Sequence, residues 1–142
     1  MGKAKETYKK GLQIWQNVFG ENHPNTAISY NNLADIYVKQ GKYKQAEGLH
    51  KRSLQIREQV LGEDYPDTAI GYNNLAGLYR HWGGYDIALI YYLKSYKILV
   101  FKFGMNHPHT QIVHKNMKIT FCEWDTEGNF EQWLKENMKE SD

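Results

Sequence analysis

Apolar residues early in the chain recur at steps of three or four, as Ala4, Tyr8, Leu12, Trp15 and Phe19 do, with polar residues filling most of the gaps. That period is a helix's, and it predicts a first helix over residues 3–19. Gly20 suits the left-handed turn that closes helices, and Pro24 suits the first turn of the next. A second helix then runs to about residue 40, carrying Tyr30, Leu33, Ala34 and Tyr37 at the same spacing, with Gly41 as its stop. Residues 43–61 pass the same test through Ala46, Leu49, Ser53, Leu54 and Val60, and Gly62 closes the third helix. Links this short make neighbouring helices antiparallel.

The pattern then returns 42 residues on. Asn31-Asn32-Leu33-Ala34 comes back as Asn73-Asn74-Leu75-Ala76, Phe19-Gly20 as Leu61-Gly62 and Phe103-Gly104, and the three prolines are Pro24, Pro66 and Pro108. Helices are accordingly predicted over 66–81 and 85–103, broken by Gly83-Gly84, and more loosely from 108 to about 122. A last helix is expected over roughly 126–139, but its opening, Gly128-Asn129-Phe130, comes three residues late. Trp133 stands there where the earlier repeats have Ala46 and Ala88, and it is too large for the close backbone approach alanine allows. Self-similarity at this period marks a repeat array, in which each unit buries its apolar face against its neighbours and the end is capped. The expectation is one all-α domain of about seven helices: a half-unit (1–20), two repeats (21–62 and 63–104) and a degenerate third (105–142) ending in the capping helix.

Leu33, Ala34, Tyr37, Gly41, Tyr43 and Ala46, and again Leu75, Ala76, Tyr79, Gly83, Tyr85 and Ala88, fall on the packing positions of a known family. The chain resembles the tetratricopeptide repeat, whose usual period is about 34 residues. The longer period, the Leu-Gly-x-x-x-Pro-x-Thr-Ala link and the Tyr-Asn-Asn-Leu-Ala-x-Leu-Tyr helix resemble the variant of kinesin light chains. The third unit departs from the pattern, with Lys118 in place of a small residue and Phe121 in place of tyrosine. The resemblance implies a right-handed superhelix and a concave groove, lined by the first helix of each unit, that holds an extended peptide.

Carried over residue by residue, the groove falls on Asn32, Asn74 and Asn116, flanked by Asn31, Asp35, Lys39, Asn73, Gly77, Arg80, His81, Lys115 and Ile119. An amide side chain offers both a donor and an acceptor, so a ladder of asparagines satisfies a peptide backbone whatever its sequence. The other role open to them is hydrogen bonding between helices. Asparagine is a mediocre helix former, and three of them 42 apart in mid-helix favour the groove. Lys39, Arg80 and Lys115 against Asp35 hint at an acidic peptide. Capture of a chain-terminal carboxylate is disfavoured, because Ile28, Ile70 and Ile112 stand where chaperone-binding relatives carry cations. Helices about 8–10 Å apart give three groove helices a span of roughly 20 Å, room for about six extended residues.

Charge narrows the partners further. With 18 basic and 16 acidic residues the net charge is +2, and no basic stripe or acidic tail stands out, so neither nucleic acid nor an anionic membrane is expected. The one cysteine, Cys122, excludes an internal disulfide framework and fits a reducing compartment, the cytoplasm. No run of about 18 apolar residues is present.

Chemistry finds little footing. His107-Pro108-His109 is compact, but His23 and His107 are repeat-equivalent residues before a helix-opening proline and lack partners at metal-ligand spacing. No metal or cofactor is expected. There is no phosphate loop or nucleophile elbow, and Cys122 reads as packing, so no enzymatic role is expected. Tyr92 with Tyr96 and Tyr85 with Leu89 read as core, while Tyr91 and Phe101 point elsewhere and predict an exposed aromatic patch on the convex side. The functional expectation is a peptide-binding interaction module. Its alternative is a structural scaffold or docking domain that self-associates through terminal helices or those convex aromatics.

Overall fold

Each proline of the sequence opens a helix in the computed structural model, which describes residues 2–139. In chain order the helices are α1 (Gly2–Phe19), α2 (Pro24–Lys39), α3 (Tyr43–Leu61), α4 (Pro66–Trp82), α5 (Tyr85–Phe103), α6 (Pro108–Trp124) and α7 (Phe130–Lys139). Among the described residues there is no strand, and sequence neighbours pack as spatial neighbours. The chain is an all-α superhelix of antiparallel helix pairs.

The turns show how 42 residues become one structural unit. Gly62 closes α3 at φ 96°, a backbone conformation costly for any residue with a Cβ, and its N–H reaches back to Glu58 O. Its carbonyl accepts the Thr68 hydroxyl at 2.7 Å, and one repeat earlier Thr26 donates to Gly20 O at 2.9 Å. The third copy, Thr110, is buried but its hydroxyl has no partner among the described residues. The drift of the third repeat is thus visible at its first turn. Histidine does the capping where a helix opens: His23 Nδ1 accepts from Asn25 N–H and His107 Nδ1 from His109 N–H, with each ring stacked on Phe19 or Phe103.

Alanines let the helices approach. Ala27, Ala34, Ala46, Ala69, Ala76 and Ala88 are fully buried, with Leu75 and Met117 between them. A buried leucine of this kind contributes about 1.5–3 kcal/mol relative to an exposed one. Ser53 and Ser95, 42 apart and both buried, donate to Ala27 O and Ala69 O at 2.7 Å and pin α3 to α2 and α5 to α4. At the C-terminal end alanine gives way to rings. Phe121, Phe130 and Trp133 cluster with centroids 5.5–6.0 Å apart, Phe130 stacked on Trp133 and Phe121 tilted against both, and join α7 to α6.

Several expectations need correction. Ala4, Tyr8 and Phe19 are exposed, because α1 packs chiefly on α2, whereas the matching positions Ala46 with His50, and Ala88 with Tyr92, are covered by a preceding helix. Val60 is exposed too, since Ile56 and Arg57 take the inward direction in that turn. Cys122 is exposed rather than packed; the core direction belongs to Phe121 beside it. Tyr91, expected outside, is half-buried and stacks on Tyr72 and Tyr79, leaving Phe101 as the exposed one of the two, 83% exposed. Helix α6 runs on to Trp124, and α7 begins only at Phe130, after the late Gly128-Asn129 opening.

Candidate functional site

Because α2, α4 and α6 each open at the repeat's proline and occupy the same place in their unit, residues 42 apart take equivalent positions on them. Asn31, Asn32, Asn73, Asn74 and Asn116 are all half-buried on that common face. Four of them are bonded in pairs across helices. Asn74 Nδ2 donates to Asn31 Oδ1 at 3.1 Å, and Asn116 Nδ2 donates to Asn73 Oδ1 at 3.3 Å. Each bond therefore joins residues 43 apart and crosses from one first helix to the next. The interhelical bonds leave capacity on each amide: Asn74 keeps a second N–H and its carbonyl, and Asn31 and Asn73 keep their NH₂ groups.

A hollow of about 260 Å³ opens along this row. Asn73, Asn74, Gly77, Arg80 and His81 line it from α4, Asp35 and Val38 from α2, and Asn116 from α6. Of the residues carried over from sequence, Asn31 reaches it through its bond to Asn74. Lys39 is exposed near the end of α2, and Asn32 and Ile119 lie on the same face outside the hollow. Lys115 lines a separate hollow of about 620 Å³ with Tyr96, Met105 and Ile112.

The electrostatics of the hollow are nearly balanced. Arg80 bridges to Glu123 at 2.8 Å, and that bond, opposed by burial, raises the guanidinium pKa. The positive balance read from Lys39, Arg80 and Lys115 is thus offset by Glu123, which shares the repeat row of Lys39 and His81. Burial raises Asp35, with Lys39 acting against it. His81 Nδ1 lies 2.7 Å from Gly77 O, which only accepts, so Nδ1 is the donor in this contact.

Val38 and Leu78 at the hollow escaped the sequence reading, as did two residues contributed by α3 and α5, His50 and Tyr92. They are 42 apart and buried, and with Tyr8 they form a row of ring-bearing residues that the period could have revealed. His50 Nε2 is 3.5 Å from Asp35 Oδ1. Burial, followed by the Arg57 guanidinium, holds the His50 imidazole down at about 4, so it is neutral at physiological pH and meets Asp35 as a dipole. The arrangement sets hydrogen-bonding groups side by side in the hollow. Among the described residues no group of three or more His, Cys, Asp or Glu is placed to hold a metal, and no helix is long and apolar enough to cross a membrane.

Comparison with known proteins follows the same lines. A family model described as tetratricopeptide repeat matches residues 1–59 and 30–99. Among solved structures, BtubC (BKLC) from P. vanneervenii is similar at a TM-score of 0.76 and 26% identity, over 84% of this chain and 48% of that one. The kinesin light chain nearly identical TPR-like repeats of Podosopora anserina match at a TM-score of 0.75 and 19% identity, over 84% of this chain and 57% of that one; at that identity they show the fold. The chain spans about half the length of these structures. No curated protein sequence matches it.

Proposed function

The chain belongs to the tetratricopeptide repeat family, and from that premise we propose that it holds a short extended segment of a partner protein in its concave groove. Repeats of this family are generally protein–protein interaction modules. The observation that carries the finer reading is the asparagine row, where amides half-used between helices present their remaining donors and acceptors to the hollow on α2, α4 and α6. Backbone groups of an extended segment match that array, and no chemistry is required of the site. We read the chain as one domain, a half-unit over 1–20, repeats over 21–62 and 63–104 and a capped third over 105–142, working in the cytoplasm with Cys122 reduced. A footprint this short fits transient binding of about micromolar strength.

Selection from a random-peptide library tests this. Selected peptides should lose at least about tenfold in affinity when Asn74→Ala and Asn116→Ala are combined. Binders indifferent to that pair, or no binder at all, would remove the groove from consideration.

A second reading is favoured by the exposed apolar residues Ile14, Val18 and Phe19 on α1 and by Phe101 on α5. These faces suit self-association, with the groove unused. Sedimentation velocity over a wide concentration range decides it: a monomer throughout excludes this reading, and a dimer abolished by Val18→Glu supports it.

A further inference from the structure

The second helix of a unit packs on two first helices, its own and the next, and α3 shows which residues meet each. His50 and Ser53 meet the helix before, through Asp35 and Ala27 O on α2. Leu54 and Arg57 meet the helix after, where Gly71 of α4 faces them. On α1 the counterparts of that second pair, Leu12 and Trp15, are half-buried, and α1 packs on α2. Its other side is open. Ala4 and Tyr8 are exposed and Ile14 is 58% exposed, whereas Ala46, His50 and Ile56 are buried at the matching places on α3. Steps of three and four put Ala4, Tyr8, Gly11 and Ile14 on one side of the helix. Nothing lies within 4 Å of where a Gly11 Cβ would be, so another helix can approach closely there.

The built units specify what fits this side. Arg52 on α3 bonds Glu21 and Asn22 in the link leading into α2, with Nε 3.0 Å from the glutamate, and Tyr30 donates to the same carboxylate. One unit on, Lys94 shares a hollow with Glu63 and Tyr72 and lies 5.6 Å from the Tyr72 ring centroid. A cation on the second helix thus accompanies a glutamate set three residues before the proline of the first. Lys10 holds that cation's place on α1, exposed and without a partner among the described residues. Lys3, Lys5 and Lys9 join it, against Glu6 alone. An antiparallel helix docked here ends beside these lysines, where cations complement its dipole.

A second copy of the chain fits poorly. Another α1 offers Lys10 only Glu6, and α2 and α4 are already engaged. Helix α6 has Met105 in place of the glutamate and exposed Lys118 where α2 and α4 carry buried Ala34 and Ala76. We propose that the open side of α1 docks an amphipathic helix of a partner protein, built like α2 and α4, whose glutamate three residues before an opening proline pairs with Lys10. This gives to a partner the face that self-association gives to a second copy, and it does not depend on the groove.

The probe is a fluorescein-labelled peptide of residues 62–82, which carries Glu63 and the whole of α4, alongside the same peptide with Glu63→Lys. Anisotropy titrations are run on the wild-type chain, on Ala4→Gln with Ile14→Gln, and on Lys10→Glu. All three positions are exposed, and circular dichroism checks that each helical spectrum is unchanged. The wild-type chain should bind the first peptide, and the double variant should lose at least about tenfold. Lys10→Glu should reverse the preference between the peptides, by about two- to fivefold each way, as an exposed ion pair allows. No binding at about millimolar peptide, or binding indifferent to the double variant, overturns the proposal. Equal affinity for both peptides on the wild-type and Lys10→Glu chains overturns the glutamate pairing. In sedimentation velocity the wild-type chain should be monomeric; a dimer dissolved by Ala4→Gln with Ile14→Gln puts a second copy on this face and overturns the proposal too.

Discussion

His50 makes the packing of α3 against α2 measurable. The residue is 3% exposed, and burial, then the Arg57 charge, lower its pKa to about 4, against about 6.5 in an unfolded chain. Asp35 at 3.5 Å favours the charged ring but does not outweigh them. Since the folded value is depressed, the unfolded state binds the extra proton between the two values. Stability is therefore full above about pH 6.5 and is lost as the pH falls toward and through about 4. The gap is worth about 3 kcal/mol in all, most of it lost between roughly pH 7.5 and 4.5. Urea unfolding followed by circular dichroism at those two pH values measures it, with His50→Tyr as reference. Tyrosine is already accepted at the matching place in the next repeat, where Tyr92 is 2% exposed, and it does not titrate in this range. Carboxylates common to both proteins cancel in the comparison, and equal m-values guard against partial unfolding of the array. Wild type and variant losing the same stability within about 0.5 kcal/mol would refute the argument, for His50 would then accept its proton in the native state as readily as in the unfolded one.

Gly71 faces Arg57 and Leu54 so closely that an added Cβ would lie 3.1 Å from Leu54 Cδ1, and Gly71→Val should cost about 1–3 kcal/mol in thermal unfolding. The next repeat carries Val113 with Leu99 at the same two places, so adding Arg57→Leu should recover part of that loss; strict additivity in the double-mutant cycle would show the two sites to be independent. Ser53→Ala and Ser95→Ala should each lower stability by about 1 kcal/mol through the lost bond to Ala27 O or Ala69 O, and a change in only one would mean that the two repeats are not equivalent.

The helices were legible because their causes are local. Glycine at positive φ, proline in the first turn and apolar residues at steps of three or four act within a few residues of chain, so α3 and α5 begin and end where the pattern puts them. The misreadings cluster where a residue's fate depends on a neighbour. Ala4 and Ala46 look alike in sequence; only Ala46 is covered by a preceding helix. Cys122 and Phe121 both look apolar, and the backbone turn between them sends one outward.

The candidate site divides in the same way. The period alone brings Asn73, Asn74 and Asn116, with Arg80 and His81, onto one face, because a repeat of constant length restores the same direction each time. Whether those groups are free or already paired depends on the stagger between adjacent helices, which no single stretch of chain contains. That stagger joins Asn31 to Asn74 across 43 residues, sets Arg80 against Glu123 so that their charges cancel, and buries His50 beside Asp35. Sequence by itself determined the elements, their order and the rows they carry. Tertiary structure decided what each row meets, because hydrogen bonds and desolvation act over a few ångströms between helices that the chain brings together only on folding.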